Sequence, residues 1–267
     1  MTTGALLIAI NNQQVDYVAL AAWSSDRIRR HLAIPVALLT DDVGDHADSF
    51  DHVITISRPD DHSVRNINNT GRVTWYNSNR ADAYDLTPWD RTLLLDADYV
   101  VASDVLAPVV QSDLDFAVHR WAHDVTGQND FSGLNWFGQY RMPQWWATVI
   151  AFSKTPTARI IFDSMRMVRD NWTHFRELYS NRERLYRNDQ ALSIALAIES
   201  GHTLHTTDIP WSLATVMPHC SIAMLENDSF RIEYQDTENR PRYIHTHGQD
   251  LHVMAKDQLE NMVADRA

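Results

Sequence analysis

The chain has 267 residues, 44% of them hydrophobic and 22% charged, enough to bury the core of one large α/β domain. A net charge of −12 argues against a general polyanion-binding surface, and no apolar run approaches the length of a membrane-spanning helix. Cys220 is the single cysteine, which excludes an internal disulfide and a cysteine-based zinc site; with no basic leader before the first apolar run, a cytoplasmic setting is expected.

Residues 5–10, Ala-Leu-Leu-Ile-Ala-Ile, form a continuous apolar run, which predicts a buried parallel strand. Asn11 to Gln14 make a polar turn. Val15, Val18, Ala19, Ala22 and Trp23 then follow helical spacing toward Leu32. Residues 35–40 and 53–56 read as a second and third strand, the second stopped by Asp41-Asp42. A helix is predicted over 77–86, capped by Asn77 or Ser78. Residues 92–95 are a fourth strand, ending at Asp96. In the second half, 115–119 and 147–152 read as strands. Thr155-Pro156 opens a helix whose Ile161, Met165, Val168 and Trp172 share one face. Asn188 or Asp189 opens another, ended by Gly201. Residues 242–246 are a late strand, and a C-terminal helix is predicted from about Asp250 to Asp265. This alternation predicts an α/β fold, a single domain over 1–267 with a mostly parallel central sheet and flanking helices. Ligands in such sheets bind beyond the carboxyl ends of the strands, and Asn11, Asp41 and Asp96 each follow one.

The segment Asp96-Ala97-Asp98 carries the chemistry. In extended chain, residues two apart point the same way, so both carboxylates aim at one spot. Two hard oxygen ligands are a usual protein share of a Mg²⁺ or Mn²⁺ site, completed by substrate phosphates and water. Such an ion neutralises a departing diphosphate. The plain alternative is a solvated turn at a strand end.

Two broader features concern a partner. Between Lys154 and Arg187 there are eight basic residues against four acidic ones, either ion-paired helix faces or an anion-facing surface. Between His119 and Trp146 fall Trp121, Phe131, Trp136, Phe137, Tyr140, Trp145 and Trp146, which suit either core packing or the wall of a sugar or base site.

The stretch from Thr87-Pro-Trp89 through Leu95 to Asp96-Ala-Asp98 resembles the segment leading into the Asp-x-Asp of GT-A (Rossmann-like) glycosyltransferases, especially the glycogenin-like family 8. The resemblance implies that 1–101 is a nucleotide-binding half and 102–267 an acceptor half with a C-terminal helix. It implies that Asn11, Asn12 and Tyr17 line the nucleotide site, where the strand-end position also puts Asp41, and that Arg80 contacts phosphate or sugar. It implies that Asp189 and Gln190 stand near the transferred sugar, and that His245 or His247, within His-Thr-His-Gly248, is a third metal ligand. The family's Lys-Pro-Trp after that histidine is absent, and Lys256 stands too far along to match it. Each residue also has an ordinary explanation: Asp189 as a helix cap, Arg80 paired with Asp82 or Asp85, a strand histidine, a core tyrosine.

The function expected from this resemblance is metal-dependent transfer of a sugar from a nucleotide diphospho-sugar, UDP-linked and with retention, to an acceptor hydroxyl, with Trp136, Trp145 and Trp146 on the acceptor side. Gln144-Trp-Trp-Ala-Thr148 and Arg187 to Leu196 are also similar to phage-encoded glycosyltransferase-like proteins, which implies hydroxymethylated pyrimidines of DNA as acceptor and the host cytoplasm as setting. A saccharide or protein acceptor is the alternative. Two other classes stay open: a haloacid-dehalogenase-like phosphatase, which also places Asp-x-Asp after a strand, and a non-catalytic nucleotide-sugar-binding protein.

Overall fold

The computed structural model of the chain describes residues 1–59, 63–67, 71–76, 78–182, 184–203, 208–226 and 228–265. β1 (Thr3–Ile8) leads into α1 (Tyr17–Leu32), whose cap Asp16 accepts a hydrogen bond from Ala19 N. β2 (Val36–Thr40) and β3 (His52–Thr55) follow, then a hairpin of β4 (Ser63–Ile67) and β5 (Gly71–Trp75). A 3-10 turn over Ser78–Asp82 and the short α2 (Ala83–Leu86) precede β6 (Arg91–Asp96) and β7 (Tyr99–Val100). The middle holds α3 (Ala107–Gln111), β8 (Phe116–His119), β9 (Ala122–Asp124), the small hairpin β10 (Trp136–Phe137) and β11 (Met142–Pro143), and β12 (Trp146–Ser153). Three helices come next: α4 (Pro156–Asp170), α5 (Trp172–Leu178) and α6 (Asn188–Glu199). The rest is β13 (Asp208–Ile209), β14 (Leu213–Val216), β15 (Ser221–Met224), β16 (Ser229–Gln235), β17 (Pro241–His247), β18 (Leu251–Val253) and α7 (Lys256–Ala264).

The central sheet has the order β13-β8-β12-β6-β1-β2-β3. Its strands run parallel except β12, which is antiparallel to both neighbours, so the predicted mostly parallel sheet with flanking helices is what forms. The apolar runs are explained by burial on both faces. Ala5 and Leu7 face the side covered by α1 and α7; Leu6 and Ile8 face α2, α4 and α6. Buried side chains of the size of Ile161, Phe162 and Met165 in α4 contribute about 1.5–3 kcal/mol each.

Two predicted helices come out differently. The one over 77–86 splits into the 3-10 turn and a single α turn, because Pro88 follows at once and its predecessor must be extended; Asn77, one of the two proposed caps, lies outside the described residues. The C-terminal helix starts at Lys256, not Asp250. Leu251 and Val253 are buried in β18, between β7 and β14 of a four-stranded sheet.

A third sheet, β15-β16-β17, is tied to α1 through Arg27. Arg27 is 2% exposed, and its guanidinium donates to Val101 O at 2.7 Å and Asp228 Oδ1 at 2.7 Å. Burial pushes the Asp228 carboxyl up, but Arg27 and His31 outweigh it and hold the group below its usual value. Ionised Asp228 therefore stabilises the fold above about pH 3.9 and loses that contribution as pH falls through its lower folded value. The melting-temperature gap between wild type and Asp228→Asn should be full near neutral pH and close under more acid conditions. Asn accepts the left-handed backbone at this position (φ 60°), so the variant isolates the charge. A pH-independent gap would contradict this account.

Candidate functional site

Asp96 is the last paired residue of β6, opposite Ile8 of β1, and so stands at the carboxyl edge of the parallel strands. Beyond it the chain leaves the sheet and is held on two sides. Ser24 Oγ on α1 donates to Ala97 O at 3.3 Å, and Val253 N donates to Asp98 O at 2.9 Å. β18 pairs with β7 and sets His252 opposite Tyr99. Asp250 locks this pairing: it accepts from Ala102 N (2.8 Å), Ser103 Oγ (2.9 Å) and Tyr99 Oη (3.1 Å). Burial pushes the Asp250 carboxyl up, against those hydrogen bonds.

The result is a cluster. Ligand atoms of Asp96, Asp98 and His252 lie within 4.8 Å of one another. Asp98 Oδ1 and His252 Nδ1 are buried without a hydrogen-bond partner. Buried polar atoms are nearly always paired, so two unpaired ones on members of this cluster fit a bound ion. Two carboxylate oxygens and an imidazole suit Mg²⁺ or Mn²⁺. Asp98 is enclosed, whereas the Asp96 side chain is 31% exposed and leaves a way in.

Each carboxylate also faces a cation. The buried Arg80 guanidinium pairs with Asp96 and donates to Ala147 O. Lys256 Nζ, at the start of α7, is 2.7 Å from Asp98 Oδ2. Burial raises the Asp96 carboxyl, with Arg80 pulling the other way. Burial also raises Asp98, but Lys256 and His252 outweigh it and the group stays below its usual value. Burial lowers Lys256, but Asp98 more than reverses this and keeps it protonated. Its ammonium lies 4.0 Å from the Trp75 ring centre and 5.4 Å from that of Tyr17, whose hydroxyl burial pushes up to about 12.

The residues expected from the sequence fall into three groups. Asp96, Ala97, Asp98, Arg80 and Tyr17 are brought together. A second group supports the edge. Asn11 Oδ1 accepts from Val18 N at 2.9 Å, Asn12 Oδ1 accepts from Val15 N at 2.8 Å, and Asn12 Nδ2 donates to Thr74 O at 3.0 Å, tying β5 to the first loop. Asp41 pairs with Arg58, whose guanidinium covers the Tyr76 ring. Asp189 is not a simple cap: its Oδ1 accepts from Ala147 N at 2.8 Å. Arg80 and Asp189 thus hold the carbonyl and amide of one residue, where β12 shifts register against β8. Gln190 Oε1 accepts from Asn181 Nδ2 at 2.7 Å.

A third group stands elsewhere. His245 and His247 are exposed on β17, outside the cluster. His247 Nδ1 is 2.8 Å from Ser229 Oγ, and the His245 ring is 5.3 Å from Tyr243. The left-handed Gly248 turns the chain after them and leaves both on the third sheet. Trp145 and Trp146 are largely buried, while Trp136 is half-exposed. In the basic stretch, Arg159, Arg166, Arg169 and Arg176 lie within 4.0 Å of Asp85, Asp85, Asp82 and Glu177, as ion-paired helix faces.

The sequence points to neither His252 nor, beyond its poor match to the family's lysine, Lys256. The alternation Leu251-His252-Val253 was the available signal, with apolar residues on one side and a histidine on the other. Lys256 looked misplaced only because it was counted from His245; it is four residues from His252.

No family model matches the chain, and no curated protein sequence matches it. Among solved structures, it is similar to the galactosyltransferase LgtC in complex with donor and acceptor sugar analogs, at 14% identity and a TM-score of 0.48, over 72% of this chain and 70% of that one. It is similar to mouse xyloside xylosyltransferase 1 at 11% identity and a TM-score of 0.47, over 81% and 88%. The glycosyltransferase GlyE of Streptococcus pneumoniae TIGR4 gives 14% identity and a TM-score of 0.46; the match covers 79% of this chain but only 45% of GlyE. All three TM-scores are below 0.5, so what the site does is read from its own residues.

Proposed function

We propose that this protein is a metal-dependent glycosyltransferase that moves a sugar from a nucleotide diphospho-sugar, UDP-linked, to an acceptor hydroxyl. The observation that carries the reading is the Asp96, Asp98 and His252 cluster at the carboxyl edge of the parallel strands, with unpaired atoms on Asp98 and His252 and two cations, buried Arg80 and partly buried Lys256, beside it. Asp96, Asp98 and His252 would hold Mg²⁺ or Mn²⁺, which when bound supplies Lewis-acid neutralisation of a diphosphate. Arg80, and Lys256 released from Asp98, put positive charge where the leaving group gathers negative charge. Tyr17 and Trp75, with ring centres 6.0 Å apart, offer an aromatic wall for a base. Asp189 acts through Ala147, holding the strand end that Arg80 also grips. Retention of the anomeric configuration is the expected outcome.

A thermal-shift screen of UDP-, GDP- and CDP-sugars with and without Mn²⁺ tests this. A cognate donor well above its Kd should raise the melting temperature by roughly 5–10 °C, and only with metal. No response to any nucleotide would remove the reading. Phosphate release from an aryl phosphate, alongside that silence, would point to a phosphatase instead.

A further inference from the structure

Many arginines in this protein, such as Arg27, Arg80, Arg91 and Arg169, lie within 4.0 Å of a carboxylate. Arg120 does not, among the described residues, although it is only 5% exposed. Its Nη1 donates to Gln144 O at 2.9 Å. Its guanidinium carbon lies 4.3 Å from the ring centre of Trp121, 4.9 Å from Trp136 and 5.7 Å from Trp145. Arg141 brings a second guanidinium to 5.4 Å from Trp136. A guanidinium has five N–H donors, and a desolvated charge whose nearest acidic influence, Asp208, lies beyond ion-pair distance is costly. Indole faces return about 0.5–2 kcal/mol each, and they cannot accept in-plane hydrogen bonds from those donors.

The position matters as much as the chemistry. Arg120 directly follows β8, which runs parallel to β6, with β12 between them. His119 pairs with Trp146, and Arg80 links the neighbouring Ala147 to Asp96. Arg120 thus stands two strands from Asp96 on the same sheet edge, roughly 10 Å away from strand spacing.

We propose that Arg120, seated among Trp121, Trp136 and Trp145, forms an acceptor-side subsite for an oxyanion, a phosphate or carboxylate borne next to a ring. Calling it acceptor-side rests on the donor reading of Asp96 and Asp98; the binding of the oxyanion does not. The guanidinium fork binds the oxyanion in-plane, and the exposed Trp121 face takes the adjoining ring.

The full chain, without added metal or nucleotide, is titrated with phenyl phosphate, benzoate and benzyl alcohol and followed by tryptophan fluorescence and calorimetry. At least one oxyanion should bind about tenfold or more tightly than benzyl alcohol, and Arg120→Gln should erase that difference. Preference for phenyl phosphate marks a phosphorylated acceptor, and preference for benzoate a carboxylated one. Trp121 is 46% exposed, so Trp121→Ala keeps the fold and should weaken oxyanion binding several-fold, which decides the matter if Arg120→Gln fails to fold. Absent oxyanion binding, equal binding of all three compounds, or unchanged affinity in either folded variant overturns the proposal. Oxyanion binding that survives in Asp98→Asn, in a protein that ignores every metal–nucleotide pair, would remove the donor reading and leave this subsite standing.

Discussion

Asp98→Asn should abolish metal-dependent donor binding and lower turnover by at least about a hundredfold. It should also destabilise the protein before any ligand is added. Asp98 is enclosed, and Lys256 Nζ is 2.7 Å from it. Removing Asp98 strands the partly exposed Lys256 charge, which costs less than the about 3–5 kcal/mol of a fully buried pair. The reciprocal change separates the two roles of Lys256. The ammonium and a divalent ion compete for the same carboxylate, so Lys256→Met should bind Mn²⁺ more tightly without nucleotide, while its affinity for the diphosphate falls. Its melting temperature should respond to Mn²⁺ more than that of wild type. Equal Mn²⁺ affinity in the two proteins, measured by calorimetry, would show that Lys256 does not guard the site.

Gly4→Ala should lower stability by about 1–3 kcal/mol, although it adds only a methyl group. A Cβ at Gly4 would lie 2.3 Å from Cε2 of the Trp89 ring. That ring is pressed against β1, donates from Nε1 to Ala5 O at 3.2 Å, and meets His52 edge-on at 5.0 Å. It is 8% exposed and hemmed in by these contacts. Because Trp89 opens the segment that runs into β6, the strain is placed at the base of the strand that ends in Asp96. A Gly4→Ala/Trp89→Leu double variant should be less destabilised than the two single changes together. Strict additivity in urea unfolding would mean that the contact is not the cause.

The candidate site was legible where its signal was local. A strand buried on both faces is a run of apolar residues, and a carboxylate pair two residues apart at its end is visible in the sequence alone. Arg80 and Tyr17 were carried by resemblance, and both face the cluster. The third member of the cluster was not legible. His245, His247 and His252 all lie in short strands, and only pairing decides which faces the carboxylates. The mostly parallel sheet likewise followed from the order of strands and helices, whereas the reversed β12 within it did not.

By itself, the sequence determined the strand–helix alternation and Asp96-Ala97-Asp98, because backbone preference and apolar period act over a few residues. Only the tertiary structure decided that His252 and Lys256 complete the cluster, since this depends on β18 pairing with β7, some 150 residues back along the chain. It likewise left Arg120 among three indoles with no carboxylate within 4.0 Å among the described residues. Such contacts form between residues remote in sequence, and their geometry exists only once the sheet edge is assembled.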